Sequence, residues 1–369
     1  MTQQTEAVAP PGVVQRRGRV TTATRLRTLN ELTSQAFPFA LIALFVAAVL
    51  YIAVNSGGNV AVAQLENGIA IGGIYALIAV GYTMVYGIIE LINFAHGDVF
   101  TLSAIYSLYF QQFFDAHGFD LDSLAKRNIG GFFLVLVILL VLSMIAAGIT
   151  GVLIERVAYR RLRNAPRLAP LITAIGVSFL LEGVMFATKG SANVSTNRTD
   201  WITGTAFTVG SVDVPWTNVF VVVMAVLMMV LLQLFVARTR LGKAMRATAQ
   251  DRDAALLSGI NINQTIAATF FIGSALAAAG AIVYSIKERT VIWNLGFTFG
   301  IVAFTAAVLG GIGNIIGAGL GGFLIGLVTN RGGQISGFQW SNTLVFVMLI
   351  VVLTFRPVGL LGMRVPDRA

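Results

Sequence analysis

Length, composition and charge exclude most classes of protein for this chain. Of its 369 residues, 56% are hydrophobic and only 11% are charged, and the mean hydropathy is +0.82. A soluble domain has about a quarter of its residues charged, so a soluble globule of this composition would expose large apolar patches. Disorder is excluded because such a chain would collapse, and the absence of cysteine excludes disulfides and thiolate chemistry. We therefore expect one integral membrane protein, and its 39 glycines suit close helix packing in lipid.

The apolar runs, taken in chain order, predict the number of membrane crossings. A transmembrane helix needs about 20 mostly apolar residues. Such runs occupy about 38–54, 60–89, 97–114, 131–155, 168–187, 216–237, 262–286 and 341–356. The stretch 297–330 is long enough for two more short spans, or for a re-entrant hairpin, separated at Gly310-Gly311-Ile312-Gly313-Asn314. The predicted fold is all-α, a polytopic transmembrane bundle of eight to ten spans, with ten favoured.

The distribution of basic residues predicts the orientation of these spans. The net charge is +9, and 18 of the 25 Lys and Arg residues lie within the short segments 16–27, 156–167, 238–252 and 356–368. Bases concentrated in short loops between apolar runs are typical of cytoplasmic loops, whereas a nucleic-acid surface would interleave them with recognition elements. Ten crossings from a cytoplasmic N-terminus place all four segments and both termini in the cytoplasm.

The chain divides into three parts on this interpretation. Residues 1–37 form a flexible, basic cytoplasmic tail, because the following run 38–54 is longer than the apolar core of about 7–15 residues in a signal peptide. Residues 38–357 form the transmembrane domain, which includes a cytoplasmic loop at 238–261, and residues 358–369 form a short cytoplasmic tail. The longest loop on the other side spans 188–215, and its two Asn-x-Ser/Thr patterns, at Asn193 and Asn197, are interpreted as accidental.

Five ionisable residues lie within or at the ends of the apolar runs. They are Glu66, Glu90, His96, Asp98 and Glu182. An ionisable group at membrane depth costs about 2.5–3.5 kcal/mol or more, so it is normally paired, interfacial or functional. The segment 90–98 is the densest and could form a proton relay, half a metal site or a cavity-lining turn. Metal binding needs three or four ligands, and the second histidine, His117, lies in a loop, so we favour the turn.

The cytoplasmic segment 238–260 is alanine-rich and amphipathic. It predicts one short helix bounded by Gly242 and Gly259, with charges on one side. The segment is either a solvated connection or a docking site for a partner. In the second interpretation Arg246 and Asp251 fix the register, and a low-profile face packs into the partner's groove. The residues of that face are Ala244, Ala247, Ala254 and Ala255.

Several motifs follow one another in a characteristic order between residues 60 and 362. They are Gly81-Tyr82-Thr83-Met84-Val85-Tyr86-Gly87-Ile88-Ile89, Ile92-Asn93-Phe94-Ala95-His96-Gly97-Asp98, Leu241-Gly242-Lys243-Ala244-Met245-Arg246-Ala247 with 251–259, Ala303-Phe304-Thr305-Ala306-Ala307-Val308-Leu309-Gly310-Gly311-Ile312-Gly313-Asn314, and Phe355-Arg356-Pro357-Val358-Gly359-Leu360-Leu361-Gly362. Together they closely resemble the permeases of bacterial branched-chain amino acid ABC importers of the LivH type.

The resemblance implies a non-catalytic subunit of an importer in the bacterial cytoplasmic membrane, with a type II-like permease fold. Its implied partners are a second homologous permease, two cytoplasmic ATPase subunits that use ATP and Mg²⁺, an extracytoplasmic substrate-binding protein and membrane lipid. No cofactor or metal is expected in this chain. The sequence agrees in that it contains no Gly-x4-Gly-Lys-Ser/Thr phosphate-binding loop.

The motifs also provide candidate functional residues. For the substrate pathway these are Tyr82, Tyr86, Asn93, His96, Gly97 and Asp98, with Gly310, Gly311 and Gly313 on a facing span. For ATPase coupling they are Gly242, Ala244, Arg246, Ala247, Asp251, Asp253, Ala254 and Gly259. The glycines of 310–322 follow no strand, so helix packing explains them better than a dinucleotide fingerprint does.

Departures from the family pattern leave two alternatives open. Asp98 stands where glutamate is commoner, Val302 where lysine is frequent, Ile316 where proline is frequent, and the basic tail is longer than usual. The first alternative is a urea or short-amide permease of the same superfamily. The second is an ion- or proton-coupled transporter that uses Glu66, Glu90, Asp98 and Glu182 as relay groups.

Overall fold

The computed structural model describes residue 54 and residues 57–163, 165–166, 168–196, 198–337, 340–356 and 358–362, with the backbone alone for 331–336. The predicted tail 1–37, the predicted span 38–54 except its last residue, and residues 363–369 of the predicted C-terminal tail therefore lie outside the described residues.

The described part of the chain is predominantly helical. Its α-helices are, in chain order, α1 (Gly58–Ile89), α2 (Ala95–Ala116), α3 (Leu121–Arg127), α4 (Ile129–Ile154), α5 (Leu168–Lys189), α6 (Trp216–Arg238), α7 (Arg240–Gln250), α8 (Arg252–Leu257), α9 (Ile262–Lys287), α10 (Leu295–Gly310), α11 (Ile315–Ser336) and α12 (Ser341–Phe355). A π-helical turn, Glu155–Tyr159, and a 3-10 turn, Arg160–Leu162, continue α4.

Short strands occur only in loops of the described chain, where none was predicted. They are β1 (Val194–Ser195), β2 (Thr205–Val209), β3 (Val212–Pro215) and β4 (Thr290–Val291). β2 and β3 form an antiparallel hairpin, and β1 pairs antiparallel with β4. The second pairing joins the loop before α6 to the loop before α10.

The helices confirm the predicted polytopic bundle. Within the described residues, the helices at 58–89, 129–162, 168–189, 216–238 and 262–287 are long and apolar enough to cross a membrane, and three shorter apolar helices lie at 295–310, 315–330 and 341–355. The stretch 297–330 forms the antiparallel pair α10 and α11, with its break at the predicted glycines. α4, α5 and α6 turn many large apolar side chains outward, such as Phe133, Phe179 and Val223, as lipid-facing helices do.

Helix α1 lies at the centre of the bundle, and its second half is mostly buried. It packs along α11, where Gly322 and Gly326 lie directly against Ala76 and Gly72 of α1. A side chain at either α11 position would clash with the backbone of α1. Of the glycines in 310–322, for which helix packing was predicted, Gly322 makes such a small-residue contact.

Helix α2 begins deep inside the bundle and not at its edge. Glu90 ends α1 in a left-handed conformation (φ 55°), and its N–H donates to the Tyr86 carbonyl at 2.8 Å. The chain then turns back, so that His96 lies against Gly81. Gly81 precedes the end of α1 by eight residues, or about 12 Å along the helix, and it also contacts Gly273 near the middle of α9. The polar first turn of α2 therefore lies near mid-depth.

Candidate functional site

The first turn of α2 contributes a buried polar cluster. Asp98 is fully buried, and one of its oxygens, Oδ2, accepts a hydrogen bond from the Ser178 hydroxyl of α5. The other oxygen, Oδ1, has no hydrogen-bond partner among the described residues, and neither has Nε2 of the buried His96. The His96 ring packs edge-on against Tyr82, with 4.6 Å between ring centroids. Glu182 follows one turn after Ser178 on α5 and is also mostly buried.

Two further pathway candidates are fixed by contacts around this cluster. The amide oxygen of Asn93 accepts a hydrogen bond of 2.9 Å from the hydroxyl of Tyr159, which belongs to the π-helical turn after α4. Gly97 lies against Gly296 and Gly300 of α10, and a Cβ added there would lie 2.7 Å from the Gly300 Cα. Only glycine fits this position without a shift of α10.

The predicted facing span does contact the cluster, but through other residues than the predicted ones. The ring of Tyr82 packs edge-on against Phe304 of α10 at 6.2 Å. Gly310 packs on Gly317 of α11, and Gly311, at φ 107°, packs on Gly359. Gly313 approaches Gly87 at the end of α1, where Tyr86 is half-buried. The three glycines thus lie at the turn between α10 and α11.

Two of the four residues proposed for a relay, Glu66 and Glu90, lie towards the two ends of α1, away from Asp98 and Glu182. Glu66, near the start of α1, accepts a hydrogen bond from Asn218, and the Lys287 ammonium donates to Asn218 at 2.7 Å. Glu66 precedes Gly81 by 15 residues, which is about 22 Å along α1. Glu90 is exposed at the other end of α1. The described residues contain no group of three or more His, Cys, Asp or Glu side chains that could hold a metal ion.

The segment 238–260, predicted to be cytoplasmic, forms two helices, so the prediction of one helix was wrong. Thr239 caps α7 by accepting from the Gly242 N–H at 3.0 Å. Asp251 is extended (φ −157°) and begins α8 by accepting from the N–H groups of Asp253 and Ala254 at 2.9 and 3.1 Å. The capping aspartate divides the segment because its own backbone cannot be helical.

The exposed face of this segment also differs from the predicted one. Ala255 is buried, Ala244 and Ala247 are half-buried, and among the four predicted alanines only Ala254 is exposed. The protruding side chains are Leu256 and Leu257, which are 62% and 90% exposed. Gly242 does not bound the helix but lies in its first turn, against the carbonyl of Val236, whereas Gly259 (φ 80°) lies just after α8, as predicted.

Two arginines of the segment bond to the transmembrane helices. Arg246, predicted to contact a partner, donates from Nη1 to the Val236 carbonyl near the end of α6. Arg252 donates from Nη2 to the Ile88 carbonyl at the end of α1, at 3.0 Å. The role of Arg252 was missed in the sequence, where it is one of many cytoplasmic bases.

Sequence reasoning also missed a buried ion-pair cluster at the C-terminal end of α4. Glu155 is completely buried and pairs with Arg160 at 2.9 Å and with Arg163. Arg163 donates in turn to Asn263 at the start of α9, at 2.6 Å. Burial lowers the pKa of Arg163, and the carboxylate of Glu155 opposes that shift. A lone acid within a run of five arginines was the available signal.

A buried arginine organises the loop at the opposite end of the bundle. Arg198 is fully buried and donates to Gln111 at 2.9 and 3.0 Å and to the hydroxyl and carbonyl oxygens of Ser107. Burial lowers its pKa to about 10, which leaves the guanidinium charged at neutral pH. Next to this loop, an apolar cavity of about 520 Å³ lies between the outward faces of α4 and α6.

These features define a class of protein first. A glycine-packed bundle of long apolar helices with a buried polar turn and an exposed amphipathic segment is a polytopic membrane protein. The sequence profile of the family described as branched-chain amino acid transport system, permease component, matches residues 64–353. The chain belongs to this family.

Individual relatives agree with the family. The chain is 40% identical over 302 residues to the high-affinity branched-chain amino acid transport system permease protein BraD of Pseudomonas aeruginosa, covering 81% of this chain and 95% of that protein. It is 38% identical over 302 residues to LivH of Escherichia coli, covering 81% and 94%. The autoinducer 2 import system permease protein LsrD of Salmonella paratyphi B is 29% identical over 206 residues, 52% of this chain and 60% of LsrD. No solved structure matches the chain at a significant level.

Proposed function

We propose that this chain is the membrane-spanning permease subunit of an ATP-driven importer that moves branched-chain amino acids into a bacterial cell. It would lie in the cytoplasmic membrane with both termini in the cytoplasm. A second homologous permease, two ATPase subunits and an extracytoplasmic binding protein would complete the complex. ATP and Mg²⁺ would be used by the ATPases, so this chain would hold no cofactor and catalyse no reaction. The names of the BraD and LivH relatives support the substrate class.

The observation that carries this proposal is the exposed surface of α8. Leu256 and Leu257 protrude at 62% and 90% exposure from a segment on the basic, cytoplasmic side of the chain. Burying a leucine side chain contributes about 1.5–3 kcal/mol, so a partner gains by covering this pair. The ATPases are the expected partner, with α8 inserted into a groove on their surface. The proposed contact surface consists of Asp253, Ala254, Leu256, Leu257 and Gly259.

The other coupling candidates act behind this surface. Gly242 allows α7 to pack against the end of α6, and Asp251 caps α8. Arg246 binds α7 to α6 and does not contact the ATPase in this proposal. Ala244 and Ala247 are half-buried and keep α7 close to the bundle.

For the substrate pathway we propose that the segment 90–98 controls access. Among the candidates Gly313 is exposed and Tyr86 is half-buried, whereas Tyr82, Asn93, His96 and Asp98 are buried. Substrate would therefore reach the buried groups only when residues 90–94 move. The polar atoms of His96 and Asp98 that lack a partner support a role beyond packing, because a buried polar atom without a partner costs about 1–3 kcal/mol.

The proposed function is tested by reconstituting the chain with its partner permease, its ATPases and its binding protein in liposomes. We expect uptake of radiolabelled leucine that requires both ATP and the binding protein. Urea and autoinducer 2 serve as competitors and should leave leucine uptake unchanged. ATP-dependent uptake of urea without leucine uptake would contradict the substrate. Leucine uptake driven by a proton gradient without ATP would favour the ion-coupled alternative.

A further inference from the structure

The guanidinium of Arg252 caps the C-terminal end of α1. The last four carbonyls of an α-helix have no partner within the helix, and the Ile88 carbonyl accepts from Arg252 Nη2 at 3.0 Å. An arginine at this end also interacts favourably with the helix dipole. Because α1 ends one residue later, at Ile89, the bond fixes the point at which the chain leaves the central helix.

The segment that follows α1 is held at its other end as well. Asn93 accepts from the Tyr159 hydroxyl at 2.9 Å. The turn that contains Tyr159 begins at Glu155, whose pairing with Arg163 links it to Asn263 of α9. Residues 90–94 are therefore held at both ends. Arg252 of α8 bonds to Ile88 just before them, and Tyr159 after α4 bonds to Asn93. The first turn of α2, with His96 and Asp98, follows directly.

Helix α8 is short enough to move as one rigid unit. It contains six residues, with Arg252 at its start and the exposed Leu256 and Leu257 at its end. A force applied to the two leucines therefore displaces the guanidinium together with the helix. A separate bond, from Arg246 to Val236, fastens α7 to α6. Each helix of the segment is thus bonded to the end of one transmembrane helix.

We propose that Arg252 is a positioning residue that transmits displacement of α8 to the end of α1 and to residues 90–94. This inference rests on the proposed function, since the displacement comes from the ATPases. When α8 moves, the Arg252–Ile88 bond moves the end of α1 together with Glu90, and the residues that follow Glu90 absorb the change. The turn of α2 that carries His96 and Asp98 then changes its position relative to α1 and α10.

The test compares two substitutions of Arg252 in the complete reconstituted complex. Arg252→Met keeps the apolar stem and removes the donor, whereas Arg252→Lys keeps a positive donor. We expect Arg252→Met to keep its rate of ATP hydrolysis and to lose about tenfold in leucine transported per ATP, the size expected from one charged hydrogen bond. Arg252→Lys should recover most of that ratio. Arg240→Met is the matched control, an exposed arginine at the start of α7, and should behave as the wild type.

A second measurement follows the motion itself. The chain contains no cysteine, so spin labels can be placed through Glu90→Cys and Ser258→Cys, both at exposed positions. We expect the distance between the labels to stay constant between nucleotide-free and ATP-bound complexes, because Arg252 makes α8 and the end of α1 move together. In Arg252→Met the distance should change between the two states.

The outcomes separate this inference from the proposed function. Unchanged transport per ATP in Arg252→Met, or a label distance that shifts with ATP in the chain with native Arg252, overturns the role of Arg252. If Arg252→Met does not assemble, the label distance with native Arg252 decides alone. A wild-type complex that hydrolyses ATP without taking up leucine overturns the proposed substrate. The label distance then still decides whether Arg252 makes α8 and the end of α1 move together.

Discussion

The buried turn at the start of α2 and the exposed helix α8 are both polar interruptions of an apolar chain, yet their surroundings are opposite. Around His96 and Asp98, glycines bring α1, α9 and α10 so close that even a methyl group does not fit at Gly81 or Gly97. Around α8 there is open space, and Leu257 is 90% exposed. The first region is fixed by contacts within the chain, whereas the second presents an exposed apolar surface, the one proposed to bind the ATPases. Arg252 connects the two.

The largest effect is expected from filling the tight contact at the start of α2. Gly97→Ala would push a Cβ into the backbone of Gly296 and Gly300, and overpacking of this kind costs about 1–3 kcal/mol or more. We expect a strongly reduced yield of folded protein and a lower unfolding temperature in detergent. Gly183→Ala is the control, since no atom lies within 4 Å of that Cβ. Equal stability of both variants would contradict the packing at Gly97.

The second-largest effect is expected at α8 and concerns only the assembly with the ATPases. Leu257→Asp should abolish co-purification of the ATPases while leaving the unfolding temperature of the isolated chain unchanged, because Leu257 is already exposed. Losing one buried leucine at an interface costs about 1.5–3 kcal/mol, before the cost of burying a charge. Phe207→Asp, at an exposed site in β2, should keep the ATPases bound. Retention of the ATPases by Leu257→Asp would contradict the proposed docking surface on α8.

A moderate effect on transport is expected at Asp98. Asp98→Ala removes the acceptor of the buried Ser178 hydroxyl, which leaves that group unsatisfied at a cost of about 1–3 kcal/mol. We expect lower leucine uptake, whereas Asp98→Asn should retain more activity because its amide oxygen still accepts. Asp213→Asn, on the exposed side of β3, is the control. Unchanged uptake and basal ATP hydrolysis in Asp98→Ala would remove this residue from the pathway.

The smallest effect is expected at the cap of α8. Asp251→Ala removes the acceptor for the N–H groups of Asp253 and Ala254, at a cost of about 1 kcal/mol. We expect transport per ATP to fall a few-fold, and Asp251→Asn, which can still cap, to restore it. Loss of coupling in both variants would indicate instead that the negative charge itself contacts the ATPase.

The helices were predictable because each one needs a continuous apolar run, and apolar runs are visible in the sequence. The runs that became α1, α4, α6 and α9 differ from those helices by at most two residues at either end. The start of α2 was placed within two residues, but its depth was not, because depth depends on where residues 90–94 turn back. The burial of Glu155 could not be predicted for a similar reason, since it depends on Arg160 and Arg163 folding back over the carboxylate.

The coupling segment shows the same limit at the scale of single side chains. The alanine-rich pattern indicated an amphipathic segment, but it did not indicate that Asp251 would cap a second helix and rotate Ala255 inward and Leu257 outward. Arg246 was expected to fix the register of a partner because it is a charged neighbour of the alanine face. The carbonyl of Val236, left without a helical partner at the end of α6, offers it a bond within the chain.

The sequence alone determined that this protein is a membrane bundle of the branched-chain amino acid permease family, since hydropathy, basic loops and ordered motifs are local properties of the chain. The tertiary structure decided which polar groups are buried and which helix ends the arginines cap. Those contacts join residues far apart in sequence, such as Ile88 and Arg252 or Asn93 and Tyr159. They exist only because the folded bundle brings the ends of α1, α4 and α8 to one place.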